Sequence, residues 1–372
     1  MNHKIKIPIC DLSSETNSLW EELTEEIQAV LKSGQFIMGP KVTGFEEEIA
    51  DYLGVKHAIG VNSGTDALVI GLRSAGVCAG DEVVTTPFTF FATAEAIALL
   101  GATPVFVDID PKTFNINVEQ IEEKITPRTK ALLPVHLFGH SCDMDRIMGL
   151  ARSYRIQVIE DVAQAFGGQY NGKKLGTFGA VSAFSFFPSK NLGAYGDGGL
   201  IATNFSDIAQ TAMKLRSHGS IKKYHNELIG YNSRLDELQA AILRVKLPHI
   251  EEMNEKRRKA AHRYSEALAA HPSIQTPWED PDGKHVYHQY TVRIKHGKRN
   301  AVQEALTKAG ISTMIYYPVP VHKLPVFASL KYSLKETEKA AEEVLSLPIW
   351  PDISVETQLQ VIQQLEKALL PL

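Results

Sequence analysis

Only three cysteines occur in the 372 residues, Cys10, Cys78 and Cys142, scattered and without CxxC or other metal-ligand spacing. That excludes a disulfide framework and a cysteine-based metal centre, and it suits a reducing compartment. No apolar run approaches the ~20 residues of a membrane-spanning helix. Met1 to Lys6 opens with charge but leads into no long apolar stretch, so the expectation is a cytoplasmic chain with neither signal peptide nor membrane anchor. The net charge is only −4, too little of either sign to point to nucleic acid or a membrane surface as partner. P-loop and GxGxxG patterns are missing too, which leaves nucleotide-triphosphate and dinucleotide binding with little support. There is no internal repeat and no low-complexity segment.

What is present is ordinary in bulk and ordered in pattern. Hydrophobic residues make up 44% and charged residues 22%, as in soluble globular proteins, and the length allows a large core and two domains. From about residue 55 to 205, short apolar runs alternate with helical patterns. The runs are 58–61, 82–86, 104–108, 131–135, 157–160 and 199–203; helices are predicted over 66–75 and 92–100. This alternation predicts βαβ units in an α/β fold around a mostly parallel, mixed central sheet with helices on both faces. A charged helical stretch over 250–270 reads as a solvated face. Pro272, Pro277, Pro281 and Gly283 then break the chain. A run over 286–294, a helix near 301–309, a strand over 312–317 and two final helices predict a smaller α+β domain. The expected boundaries are 1–245, with an N-terminal helical segment, and 246–372.

Chemistry concentrates at Lys190, which ends Ser185-Phe186-Phe187-Pro188-Ser189-Lys190, and at Asp161, which ends the apolar run Val158-Ile159-Glu160-Asp161. A pocket lysine can form an imine with a carbonyl, and an acid at the end of a buried strand can hold a positive charge. Together they match the needs of pyridoxal phosphate, an imine anchor and a pyridinium partner. A lysine alone is most often a surface charge, and Asp161 could equally sit in an ordinary salt bridge. Gln164, one turn on, could reach the same ligand. Gly64, in Asn62-Ser63-Gly64-Thr65-Asp66, joins a strand to a helix that Thr65 or Asp66 can cap. Free N–H groups there favour a phosphate, although a well-capped helix explains the motif as well. Phe88, Phe90 and Phe91 follow a strand; taken alone they are core residues, yet one could stack on a flat ring. Ser185 and Ser189 can donate to phosphate or simply shape a turn, and the glycines from Gly193 to Gly199 allow a tight return of the chain. Asn232, Ser233 and Arg234 precede an apolar helix and read either as ligand contacts or as its cap.

These pieces, in this order, resemble the DegT/DnrJ/EryC1/StrS family of pyridoxal-phosphate aminotransferases acting on nucleotide-linked sugars. The carriers are Ser63 to Leu68, Glu160 to Ala165, Ser185 to Lys190, Gly196 to Gly199, Tyr231 to Leu235, Tyr316 to His322 and Leu345 to Pro348. Each is modest by itself; their combination is specific and covers nearly the whole chain. The resemblance implies an aspartate-aminotransferase-like fold. It implies that Lys190 holds the cofactor as an imine, Asp161 pairs with the ring nitrogen, Gln164 contacts the ring hydroxyl and Phe90 stacks on the ring. Gly64 and Thr65, with the Ser185 hydroxyl, would hold the cofactor phosphate. Asn232 would reach that phosphate from the other subunit of a homodimer. His218, Arg234, Tyr317 and His322 would contact the sugar nucleotide.

The implied reaction passes an amino group from a donor, L-glutamate by resemblance, through the pyridoxamine phosphate form to a UDP- or dTDP-linked keto sugar. Lys190 acts as the proton carrier. The stretch from Tyr316 to His322 most resembles 3-aminating members, with 4-amination as the alternative. Surface polysaccharide is the expected destination by analogy. Some relatives carry histidine in place of the lysine and act as dehydratases, from which Lys190 argues away. Others have been proposed as regulators; both Lys190 and Asp161 are retained here.

Overall fold

The computed structural model describes residues 6–370, so the reading of the first five residues lies outside the described part. Among the described residues no helix is long and apolar enough to cross a membrane. The strands of the first two thirds are β1 (His57–Val61), β2 (Glu82–Thr85), β3 (Thr103–Phe106), β4 (Thr129–Leu133) and β5 (Gln157–Asp161), followed by the short β6 (Gln169–Tyr170) and β7 (Lys173–Lys174), then β8 (Val181–Ser185) and β9 (Gly199–Thr203). Seven of them form one sheet in the order β1-β9-β8-β5-β4-β2-β3. Neighbours are parallel except at β9, which runs antiparallel to both β1 and β8.

The sheet is buried on both faces, which is why its strands read as continuous apolar runs rather than alternating ones. Successive side chains still part company: Val158, Phe184, Leu200 and Ala202 enter one core, while Ile159, Ala183 and Ile201 enter the other. Helix Gly64–Ser74 covers the second face with Ala67, Leu68, Ile70 and Leu72. Helices Pro40–Leu53, Met144–Tyr154 and Glu237–Lys246 cover the first. Local chemistry sets their ends. Pro40 opens its helix where a missing N–H costs nothing, and Gly54, at φ 74°, closes it by donating to the Ala50 and Asp51 carbonyls. Asp143 caps Met144–Tyr154 by accepting from the Arg146 N–H.

The remaining strands are β10 (Ile274–Gln275), β11 (Gly283–Lys284), β12 (Tyr290–Ile294) and β13 (Val344–Leu347). β10, β12 and β13 form a small antiparallel sheet. It packs with helices Ile250–Leu268, Arg299–Lys308 and Val355–Leu369 around Tyr264, Tyr290, Val292 and Leu345. Ile7 joins this core and bridges to Ile311, so the N-terminal segment packs on the C-terminal third. β11 pairs with β6 and ties the two regions together.

Three expectations change. The segment 312–317 is not a strand: it makes only an isolated bridge from Met314 to Ser346 on β13, with Ile311 just before it bridging to Ile7. β13 stands between the two final helices, Lys335–Glu343 and Val355–Leu369. The charged helix is less solvated than its sequence reads: Glu252 pairs with Lys256 one turn on, but Arg257 and Tyr264 on the same helix are buried.

Candidate active site

The carboxyl ends of β1, β5 and β8 lie at one edge of the sheet, the edge at which open α/β sheets bind ligands. Ser63 and Gly64 follow β1, Asp161 ends β5 and Ser185 ends β8. Because β9 returns antiparallel, the Lys190 loop starts and finishes at that same edge. A cleft of about 430 Å³ opens there, lined among others by Gly64, Thr65, Phe90, Asp161, Gln164, Ser185, Lys190 and Tyr317.

The Lys190 loop folds back on itself. Phe186 N–H donates to the Gly198 carbonyl, Ala194 N–H to the Phe186 carbonyl and Lys190 N–H to the Phe187 carbonyl, each at 2.8 Å. A Cβ at Gly193 would lie 2.4 Å from the Pro188 carbonyl oxygen, and one at Gly199 would lie 2.2 Å from that of Ser63. Both positions therefore require glycine. Lys190 as a residue is half-buried, but the protein packed around its ammonium desolvates it and lowers its pKa to about 8, against the opposing pull of Asp161. No hydrogen bond or ion pair holds that ammonium among the described residues.

Asp161 is 4% exposed. Its Oδ2 accepts from the Thr93 hydroxyl at 2.9 Å and its Oδ1 from the Ala163 N–H at 3.1 Å. Burial raises its carboxyl above the ordinary value; these two hydrogen bonds and the Lys190 charge pull the other way. A carboxylate so placed is served by a cationic partner in the cleft. The adjacent Glu160 faces away, accepting from the Gly176, Phe178 and Gly179 N–H groups, each at 2.8 Å, and from His136 Nε2 at 3.2 Å. Cys142 N–H donates to His136 Nδ1, which leaves Nε2 as the ring's donor. Of the two acids in sequence, strand alternation therefore gives one to the cleft and one to the scaffold.

The corner of the cleft at Gly64 is built from the start of helix Gly64–Ser74. Ser63, not Thr65 or Asp66, is the cap: its Oγ accepts from the Asp66 N–H at 3.1 Å, and the helix begins two residues earlier than expected. Gly64 and Thr65 stand in the first turn, where N–H groups lack intrahelical acceptors. A Cβ on Gly64 would lie 2.6 Å from Ser185 Cβ, so only glycine lets this turn approach the Ser185 hydroxyl.

The three phenylalanines divide. Phe88 is fully buried against Phe114 and Phe138, Phe91 packs on Phe327, and Phe90 remains 60% exposed in the cleft. Gln164 is fixed: its Oε1 accepts from the Phe138 N–H at 2.8 Å and its Nε2 donates to the Tyr317 hydroxyl at 2.9 Å. Burial raises the Tyr317 phenol above its ordinary range.

His218, Asn232, Arg234 and His322 do not line this cleft. His218 and Asn232 are exposed, and Asn232 Oδ1 accepts from Arg234 Nη2 at 2.6 Å. The helix after them begins at Glu237 with Asp236 preceding it, so Asn232 and Ser233 do not cap it; buried Ser233 instead donates to Asn62 Oδ1 at 3.0 Å. His322, expected to contact the sugar nucleotide, lies apart from the cleft lining of its own chain. It is 2% exposed, its Nε2 lies 3.1 Å from Glu338 Oε1, and its ring packs near Phe106, away from the cleft. Thr93, Tyr316, His288 and Gln289, by contrast, line the cleft without having been singled out for chemistry. Thr93 closes the aromatic run and Tyr316 precedes Tyr317, so their motifs were a signal; His288 and Gln289 carried none.

The cleft accommodates pyridoxal phosphate on its own geometry: an unpaired lysine, a buried carboxylate, an exposed aromatic ring and a glycine-only turn beside a serine hydroxyl. Comparison with known proteins agrees. Residues 17–366 match the DegT/DnrJ/EryC1/StrS aminotransferase family. A Geobacillus stearothermophilus protein named as a pleiotropic regulatory protein is 49% identical over 97% of this chain and 98% of its own. A UDP-N-acetyl-3-dehydro-alpha-D-glucosamine 3-aminotransferase of Acidithiobacillus ferrooxidans is 46% identical over 96% of each. Among solved structures, DesV of S. venezuelae, in complex with a ketimine intermediate, superposes with a TM-score of 0.95 at 42% identity, covering 99% of this chain and all of that one.

Proposed function

Since this chain belongs to the DegT/DnrJ/EryC1/StrS aminotransferase family, we propose that it moves an amino group from L-glutamate to C3 of a UDP- or dTDP-linked 3-keto sugar, using pyridoxal phosphate. The observation that carries the reading is the convergence of Lys190 and Asp161 on one cleft. Amination at C3 rests on relatives named as 3-aminating enzymes for both UDP- and dTDP-linked sugars.

Bound there, pyridoxal phosphate supplies an imine-forming carbon and a conjugated ring that takes up electrons when the donor's Cα–H bond breaks. The residues do the rest. Lys190 Nζ would anchor the group and, when free, would carry the proton between neighbouring atoms; burial lowers its pKa to about 8 in the cofactor-free chain, which favours the free amine. The Asp161 carboxylate holds the proton on the ring nitrogen. Phe90 covers one ring face, and the N–H groups of Gly64 and Thr65 with the Ser185 hydroxyl bind the phosphate. Gln164 and Tyr317, already hydrogen-bonded to each other, form one wall. A regulatory role without turnover would need no proton carrier, whereas here a lysine of lowered pKa faces the cleft.

The test is the absorption spectrum of the holoprotein during titration with L-glutamate. The imine band is expected to collapse to the pyridoxamine form and to return on adding a UDP- or dTDP-3-keto sugar. A band indifferent to every amino acid would overturn the aminotransferase reading.

The same reading makes the active unit a homodimer in which Asn232, His218 and Arg234 serve the partner's cleft. Their absence from the lining of their own cleft supports this, as do exposed Ile221, Tyr224, Leu228 and Ile229 on the neighbouring loop. Mixing inactive Lys190→Ala with inactive Asn232→Ala protein should restore about a quarter of wild-type turnover, the share of statistical subunit exchange that rebuilds one intact site. No recovery after verified exchange would remove the shared-site arrangement.

A further inference from the structure

Beside the Lys190 end of the cleft lies an annex of about 50 Å³, walled by Cys10, Ser189, His288, Gln289, Tyr316 and Ile349, with a few further residues. Ser189, His288, Gln289 and Tyr316 also line the main cleft, so the two spaces share a wall. His288 is 8% exposed, and its Nδ1 is fully covered without a hydrogen-bond partner; Gln289 Oε1 is covered and unpartnered in the same way. Buried polar atoms of native proteins are nearly always paired, and two orphans on adjacent residues that both line the annex point to a ligand or water that completes the bonding there.

Charge decides what kind of ligand. No carboxylate lines the annex. Arg257, on helix Ile250–Leu268, is 3% exposed and makes a long 3.4 Å hydrogen bond to the carbonyl of Ile349, itself an annex residue. Among the described residues no acid pairs with it. A guanidinium buried without a carboxylate is costly unless an anion comes near. Burial, Lys190 and Arg257 together hold His288 well below its ordinary pKa, so its ring is neutral, with one N–H to offer and one lone pair.

Size and position narrow it further. On the same measure one water needs about 10–15 Å³, so the annex suits a group the size of a few waters, such as a carboxylate, rather than a sugar ring with its pyrophosphate. A donor whose α-carbon must meet Lys190 Nζ carries its carboxylate one bond away, and Ser189 is the chain neighbour of Lys190. The cofactor phosphate has its own corner at Gly64, Thr65 and Ser185. We propose that the annex receives the α-carboxylate of the amino donor, with His288 Nδ1–H and the Ser189 hydroxyl as hydrogen-bond donors and Arg257 supplying positive field. This rests on the aminotransferase reading and adds to it the place where the amino acid is recognised.

The half-reaction of the holoprotein with L-glutamate and with L-glutamic acid α-amide tests it. Wild type is expected to show a KM for the α-amide about 10-fold or more above that for glutamate, because the amide lacks the charge. His288→Leu should raise the glutamate KM about 10- to 100-fold, the worth of a hydrogen bond to a charged group, and narrow the gap between the two donors. The KM for the keto sugar should stay within about twofold. His288→Asn, whose amide N–H stands near the Nδ1 position, should recover most of the loss; a purely structural role would not be rescued selectively for one substrate. A glutamate KM unchanged in His288→Leu, or a keto-sugar KM raised equally, overturns the proposal and leaves the annex to a bound water. Should His288→Leu not fold, equal use of glutamate and its α-amide by wild type overturns it as well. These failures differ from that of the aminotransferase reading, in which wild type ignores every amino acid.

Discussion

Lys190→Ala should lower kcat by about 10³-fold or more, since it removes both the imine anchor and a general base that contributes about 10²- to 10⁴-fold. The fold should survive the change. Lys190 is half-buried, and no hydrogen bond or ion pair engages its ammonium among the described residues, so its removal strands no partner. The loss should fall on chemistry: the imine band disappears while the thermal midpoint moves little. Wild type offers a matched control through pH. The ordinary lysine value of 10.5 is brought down to about 8 by burial. Nζ attacks only as the free amine, so the rate at which cofactor-free protein captures pyridoxal phosphate should climb with pH through about 8 and level off above it. Stopped-flow absorbance measures this directly. Turnover retained in Lys190→Ala, or a capture rate still rising steeply near pH 10, would contradict the assignment.

Asp161→Asn comes second, with an expected loss of about 100- to 1,000-fold in kcat, the usual cost of removing a positioned charge from a water-poor site. The substitution keeps volume but changes hydrogen bonding. Both Asp161 oxygens accept, one from the Thr93 hydroxyl and one from the Ala163 N–H, so asparagine keeps both partners only with Oδ1 on Ala163 and the Thr93 hydroxyl turned to accept from its NH₂. Stability should separate charge from shape. The carboxyl is raised above its ordinary 3.8 by burial, so the cofactor-free folded chain binds this proton more tightly than the unfolded chain does. Linkage then requires stability to fall as pH rises from about 3.8 through the raised value, with the cost fully present above it. Asparagine has no such titration. Cofactor-free wild type should therefore lose stability relative to Asp161→Asn over that window, and pyridoxal phosphate at neutral pH should stabilise wild type more than the variant. Equal stabilisation of the two by cofactor would argue that no ring nitrogen faces Asp161.

The site was legible in the sequence where chemistry is local. Lys190 with its glycine-rich return, the strand-to-helix turn at Gly64 and the acid at the end of β5 each sit in a stretch of ten residues or so, and the cleft gathers all three. Phe90 could be named only through the family resemblance, because Phe88, Phe90 and Phe91 are indistinguishable as residue types; their different fates follow from which neighbours surround each one. His322 shows what a local reading leaves out. A histidine beside a recurrent motif reads as a ligand contact, yet packing places it between Phe106 and Glu338. β13 and the isolated bridges at Ile311 and Met314 were misread because their partners lie far along the chain, and such pairing leaves no local period.

By itself the sequence determined the α/β architecture and singled out Lys190 and Asp161, because strand and helix periodicity and a lysine at the end of a Ser/Phe/Pro run are properties of short segments. Tertiary structure alone decided the rest. Strand alternation assigned Asp161 to the cleft and Glu160 to a cradle of backbone N–H groups, and the antiparallel β9 returned the Lys190 loop to the ligand edge. It also brought His288 and Arg257, from a region whose core is separate, to the lysine's side. Burial and long-range proximity create the lowered Lys190 pKa and the unpartnered atoms on His288 and Gln289, and neither is written in any one segment of the chain.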